Sequence, residues 1–158
     1  FSTMPKYILT YFPIPGRGEP IRLTLAVGGA DWEDKFVQME QWPTVKAGIA
    51  NQKPFRFPWL PHLEVEGENI VVSQSLPALR FVARRFGLDG ETDAEKVYVD
   101  SILELSADIL KAYATLFFSK DPENDADAAV KKVVEYAAFV EVILGDNGSG
   151  YLVGKKLT

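Results

Sequence analysis

The segment Lys6-Tyr7-Ile8-Leu9-Thr10-Tyr11-Phe12-Pro13-Ile14-Pro15-Gly16-Arg17-Gly18-Glu19-Pro20-Ile21-Arg22 decides the fold. From Lys6 to Phe12 the side chains alternate and are rich in β-branched and aromatic types, which predicts a strand. Pro13, Pro15, Gly16 and Gly18 then break the pattern and predict a loop. Glu19-Pro20-Ile21 opens an apolar-periodic stretch that ends at Gly28-Gly29, with the acid and the proline where a first helical turn tolerates them. Strand, loop and helix therefore follow in that order.

Working outward, residues Asp34 to Met39 form a second strand candidate. A long segment follows that holds Trp42, Pro43, Pro54, Pro58, Trp59 and Pro61, and proline at this density predicts no regular structure. His62 to Glu66 and Asn69 to Ser73 flank Gly67 as a hairpin, and Ser75 starts a helix to about Phe86. The amino-terminal order is βαβ, loop, ββα over residues 4–86. Residues 87–92 read as a linker, and Thr92 with Glu95 is a capping box. From there, over residues 93–158, the pattern is helical. Val97, Ile102, Leu105, Ile109 and Leu110 recur near helical spacing up to Phe118, and Ala126 to Leu144 repeats the pattern. Two long helices should pack antiparallel across a turn from Asp121 to Asp125.

Composition limits function. The chain has 158 residues, 47% hydrophobic and 25% charged, enough for one medium domain or two small ones. A net charge of -5 disfavours a nucleic-acid partner. Without cysteine, and with one histidine, there is no disulfide, no thiolate metal site and no protein thiol nucleophile, so no metal is expected. Any sulfur chemistry uses a borrowed thiol. No apolar run reaches the ~18 residues of a membrane span. Phe1-Ser2-Thr3 ahead of Met4 reads as an added remnant, an alternative start or a processed stub. The expected location is cytoplasmic, or a mitochondrion or plastid if those residues are a stub.

Tyr11 stands at a strand end, beside a glycine loop and ahead of a helix amino terminus. A hydroxyl there is a plausible donor into a cleft, although an aromatic residue in a strand more often just packs.

Here a resemblance becomes specific. Pro5 to Phe12, Gly16-Arg17-Gly18-Glu19 and Ile21-Arg22-Leu23 resemble the opening of sigma-class glutathione transferases. Gln41 to Lys46, Leu60 to Gly67, Ser73 to Leu76, Ala83 to Gly90, Val99 to Ile102 and Tyr151 to Gly154 resemble the same family in the same order. The resemblance spans essentially the whole chain. It implies an α/β thioredoxin-like amino-terminal domain that binds glutathione, followed by an all-α carboxy-terminal domain, in a soluble homodimer with roles in detoxification.

It also implies residue roles. Tyr11 would donate to the glutathione sulfur, since a phenol with a pKa near ~10 is protonated at neutral pH. Arg17 would hold the loop or add positive potential, and Phe12 would line the site. Leu60, before a cis-proline at Pro61, would pair its backbone with the cysteinyl part of glutathione. Gln74 and Ser75 would bind the γ-glutamyl carboxylate at a helix start, where Ser75 also suits an N-cap. Trp42 and Lys46 would line the glycyl end; without the resemblance, Lys46 is a solvated charge. Asp100 would reach across a two-fold axis to the partner's glutathione; by itself it is a surface carboxylate.

The match has departures. Between Trp42 and Pro61 the chain is longer than in sigma members, and Phe57-Pro58-Trp59-Leu60-Pro61 looks more like the mu class. Lys53 therefore competes with Lys46 for the glycyl carboxylate, and Trp59 either closes a pocket wall or covers the loop. His62 stands where a small apolar residue is usual and reads as structural. A complete family member continues past Thr158. The expected function is a glutathione transferase or glutathione-dependent isomerase acting on a small electrophile. The alternative is a non-catalytic subunit of the same fold that assembles with other proteins. A thioredoxin-type oxidoreductase is excluded by the absence of cysteine.

Overall fold

The computed structural model describes residues 5–52 and 57–158. It divides into two compact units, residues 1–86 and 87–158.

The first unit is built on a four-stranded sheet. Strand β1 (Tyr7–Tyr11) leads through a short turn at Gly16–Gly18 into helix α1 (Glu19–Val27), and β2 (Trp32–Phe36) follows. Helix α2 (Trp42–Asn51) precedes β3 (His62–Val65), β4 (Ile70–Ser73) and helix α3 (Ser75–Phe86). The strand order is β2-β1-β3-β4. β2 runs parallel to β1 with Tyr7 opposite Trp32, as a helical crossover requires. β3 is antiparallel to both neighbours, with Thr10 opposite His62 and His62 opposite Ser73. This is the mixed sheet of a thioredoxin-like domain.

Period-two alternation explains which face is packed. Tyr7, Leu9 and Tyr11 of β1 and Leu63 and Val65 of β3 are buried, together with Ile21 and Leu25 of α1 and Ala78, Leu79 and Val82 of α3. α1 and α3 pack against each other. Full burial of Leu9, Ile21, Leu25 and Leu63 stabilises the unit by roughly 2 kcal/mol each.

Two sequence expectations need correction here. The proline-rich stretch contains helix α2, because Pro43 falls in the first helical turn, where its missing N–H costs nothing. No further proline occurs before Pro54. The second strand lies at Trp32–Phe36, earlier than Asp34 to Met39. As an edge strand it buries little, so its apolar alternation is weak.

The second unit is a helical pair, α4 (Asp93–Phe118) packed on α5 (Pro122–Asn147). The expected capping box is present: the Glu95 N–H donates to Thr92 Oγ1 at 3.2 Å and the Thr92 N–H to Glu95 Oε2 at 3.1 Å. α5 starts at Pro122, so the connection is shorter than the Asp121-to-Asp125 turn that the pattern suggested. Proline is again at a first-turn position. Among the described residues no helix is long and apolar enough to cross a membrane.

Candidate functional site

The end of β1 meets the glycine loop. Tyr11 is only 7% exposed, and its phenolic oxygen accepts the backbone N–H of Arg17 at 3.1 Å. The two glycines permit this approach. A Cβ on Gly18 would lie 2.7 Å from Tyr11 Cδ1, and one on Gly16, which has φ 41°, would lie 2.9 Å from the phenolic oxygen. A phenol that accepts one hydrogen bond still has its own O–H to donate. The Arg17 side chain is exposed, so it is the Arg17 backbone that makes the contact with Tyr11.

Arg22 holds the same loop from below. Its Nε donates to both oxygens of Asp34 at 3.0 Å, and Nη1 donates to Glu19 Oε2 at 2.9 Å and to the Ile14 carbonyl at 3.2 Å. The guanidinium carbon sits 5.9 Å from the centre of the Tyr11 ring. Burial draws the guanidinium down, but the Glu19 and Asp34 carboxylates outweigh it and hold the group above its ordinary range. No local sequence pattern assigns Arg22 this task. The nearest signal is a cation three residues after Glu19, on a helix that follows a proline loop.

Phe12 continues β1 and packs edge-on against Trp42, the first residue of α2, with ring centres 6.0 Å apart. Lys46 is exposed, one helical turn beyond Trp42, so both are on one side of α2. Lys53 lies outside the described residues.

The third group gathers at the same sheet end. The Thr10–His62 and His62–Ser73 register sets the end of β1, the start of β3 and the end of β4 side by side. Leu60–Pro61 is a cis peptide, and the Pro61 carbonyl accepts the N–H of Gln74 at 3.2 Å. Gln74 has φ 86°, a left-handed conformation that a residue with a side chain adopts at a cost. Its carbonyl accepts the Ala78 N–H, so Gln74 occupies the cap place and Ser75 is the first residue of α3. The leading N–H groups of α3 thus open at this edge, where an anion is favoured. Trp59 is 46% exposed and stacks on Phe57 at 5.1 Å. Asp100 lies on α4, in the second unit.

No protein-family model matches the chain. Similar proteins do. A probable glutathione S-transferase 7 of Caenorhabditis elegans is 38% identical over 162 residues, covering 98% of this chain and 75% of that protein. A solved nematode-specific glutathione transferase from the same organism superimposes with a TM-score of 0.86 at 34% identity, covering 98% of this chain and 75% of the other. The chain belongs to the glutathione S-transferase family. A hematopoietic prostaglandin D synthase of Gallus gallus is 32% identical over 157 residues, which cover 98% of this chain and 74% of that protein. In this glutathione S-transferase the sheet end carries Tyr11, the cis-proline segment and the α3 start together. His62 and Ser73 join them across the β3–β4 pair, a juxtaposition that no local pattern in the sequence encodes.

Proposed function

We propose that this enzyme transfers glutathione by stabilising its thiolate with a hydrogen bond from the Tyr11 hydroxyl, the thiol proton passing to solvent. The observation that carries the reading is the Arg17 N–H to Tyr11 contact of 3.1 Å. It fixes the phenol and leaves the O–H available to donate to sulfur. A hydrogen bond to a charged partner contributes about 1.5–3 kcal/mol. That is enough to lower a thiol pKa by about one to two units from ~8.5. The thiolate sulfur then forms a bond to an electrophilic carbon, and the leaving group departs with its electron pair.

Glutathione would extend along the sheet end. Leu60, ahead of Pro61, would pair with its cysteinyl backbone, and Gln74, Ser75 and the α3 N–H groups would take the γ-glutamyl carboxylate. Phe12, Trp42 and Lys46 would border the glycyl end, with Lys53 as the competing cation and Trp59 covering the loop. Asp100 would act on a partner's glutathione in a homodimer. The opening motif supports a sigma-class assignment with a mu-like loop, and a detoxification role follows from conjugation. An isomerisation that uses the same thiolate is the second reading, favoured by the likeness to a prostaglandin D synthase.

Calorimetric titration with glutathione, paired with turnover of 1-chloro-2,4-dinitrobenzene, tests this. Binding together with conjugation is the expected result. No heat of binding would overturn it.

A further inference from the structure

We propose that His62 and Ser73 are positioning residues for glutathione: a buried hydrogen-bond chain from the His62 imidazole through the Ser73 hydroxyl to the Phe57 carbonyl fixes the segment that carries Leu60. The proposal rests on the reading of Leu60 as a glutathione contact.

The two side chains are 1% and 2% exposed and face each other directly across the β3–β4 pair. Ser73 Oγ donates to the Phe57 carbonyl at 2.7 Å. A hydroxyl has one proton to give, so the 2.9 Å contact between Ser73 Oγ and His62 Nδ1 has Nδ1–H as donor. The tautomer is thereby set. Nε2 is buried with no hydrogen-bond partner among the described residues, 3.6 Å from Glu64 Oε1. Burial draws the imidazole pKa down, the Glu64 carboxylate draws it up and Lys35 draws it down, with a net fall. Burial therefore favours the neutral ring, and the Nδ1–H donor on which the chain depends is present in the neutral and the protonated imidazole alike.

The Phe57 carbonyl also accepts the Trp59 N–H at 2.9 Å, which closes a tight turn. At the far end of the segment, the Pro61 carbonyl accepts the N–H of Gln74. Consecutive residues at the end of β4 therefore clamp both ends of the stretch from Phe57 to Pro61, Ser73 by its side chain and Gln74 by its backbone. Leu60 lies between the clamps. A facing apolar pair would fill these two core positions without any need for a buried imidazole, since replacing both partners of a buried hydrogen bond by apolar groups is close to neutral. What the polar pair adds is the hold on Phe57.

Steady-state kinetics in glutathione, with melting temperatures beside them, provide the test. In His62→Leu and Ser73→Ala, loss of one hydrogen bond's worth of positioning raises KM for glutathione about 5- to 20-fold, with kcat at saturation within about twofold. The double variant is no worse than either single one, because one chain is broken in each. His62→Asn, whose amide N–H can replace Nδ1–H, recovers KM to within about threefold of wild type. A lowered melting temperature with unchanged KM would overturn the proposal and leave the pair a structural one. Failure of the wild-type protein to bind glutathione would overturn this proposal together with the glutathione site beneath it.

Discussion

The backbone N–H of Arg17 reaches the phenolic oxygen of Tyr11 across 3.1 Å, so the strand end and the glycine loop act as one element. The strand buries the ring, the loop supplies the donor, and Arg22 ties the loop's carbonyls to Asp34 of β2. A phenol held this way has little freedom left to lose on donating a hydrogen bond, and preorganisation of that kind is what lowers a barrier.

Gly18→Ala should damage chemistry more than binding. The backbone at Gly18 is ordinary, with φ -82°, so the new methyl acts only by pushing on Tyr11, which it would meet at 2.7 Å. A misplaced phenol should lower kcat about 10- to 100-fold. Stopped-flow or steady-state conjugation rates check this; a kcat within twofold of wild type would show that the phenol's position is not critical.

Arg22→Met should destabilise the fold by about 3 kcal/mol, because it leaves the largely buried Asp34 carboxylate without its partner. Arg22→Lys should rescue only part of this, since an ammonium cannot reproduce the fork that meets both Asp34 oxygens and the loop. Urea unfolding measures both. A loss under about 1 kcal/mol for the methionine variant would mean that the clamp is dispensable.

These residues mark the limit of what the sequence discloses. The strand, loop and helix from Lys6 to Gly28 were legible because alternation, glycine and proline each act locally, and so was the capping box at Thr92 and Glu95. Helix α2 was not legible: the density of prolines around it obscured the proline-free run behind Pro43. Tyr11, Leu60-Pro61 and Gln74-Ser75 were found as a family pattern, and the sheet register explains why they meet at one edge. The buried links of Arg22 to Asp34 and of His62 through Ser73 to Phe57 depend on pairing between distant segments, which no local pattern encodes.

Gln74→Gly should separate stability from function. Glycine adopts φ 86° without the steric cost a side chain incurs, so the variant should gain up to about 1 kcal/mol of stability. Loss of the amide should at the same time raise KM for glutathione. Melting temperature and KM measured together check the opposed changes; a drop in stability would show that the side chain supports the fold rather than the ligand.

Stability should fall on acidification through His62. The buried imidazole has a pKa below its ordinary value, chiefly because burial disfavours the charged ring. Below about pH 6.5 the unfolded chain binds a proton that the native protein refuses. The native state therefore loses stability as pH falls from that value, and the loss levels off below the native pKa. Urea midpoints across this range should slope downward toward acid in wild type and less steeply in His62→Leu. Parallel slopes in the two proteins would refute the assignment.

If Tyr11 stabilises the thiolate of bound glutathione, pH titration of that thiolate by its ultraviolet absorbance will separate wild type from Tyr11→Phe. The thiol pKa should lie about one to two units below ~8.5 in the wild-type complex and return close to ~8.5 in the variant. The same depressed pKa in both proteins would contradict it.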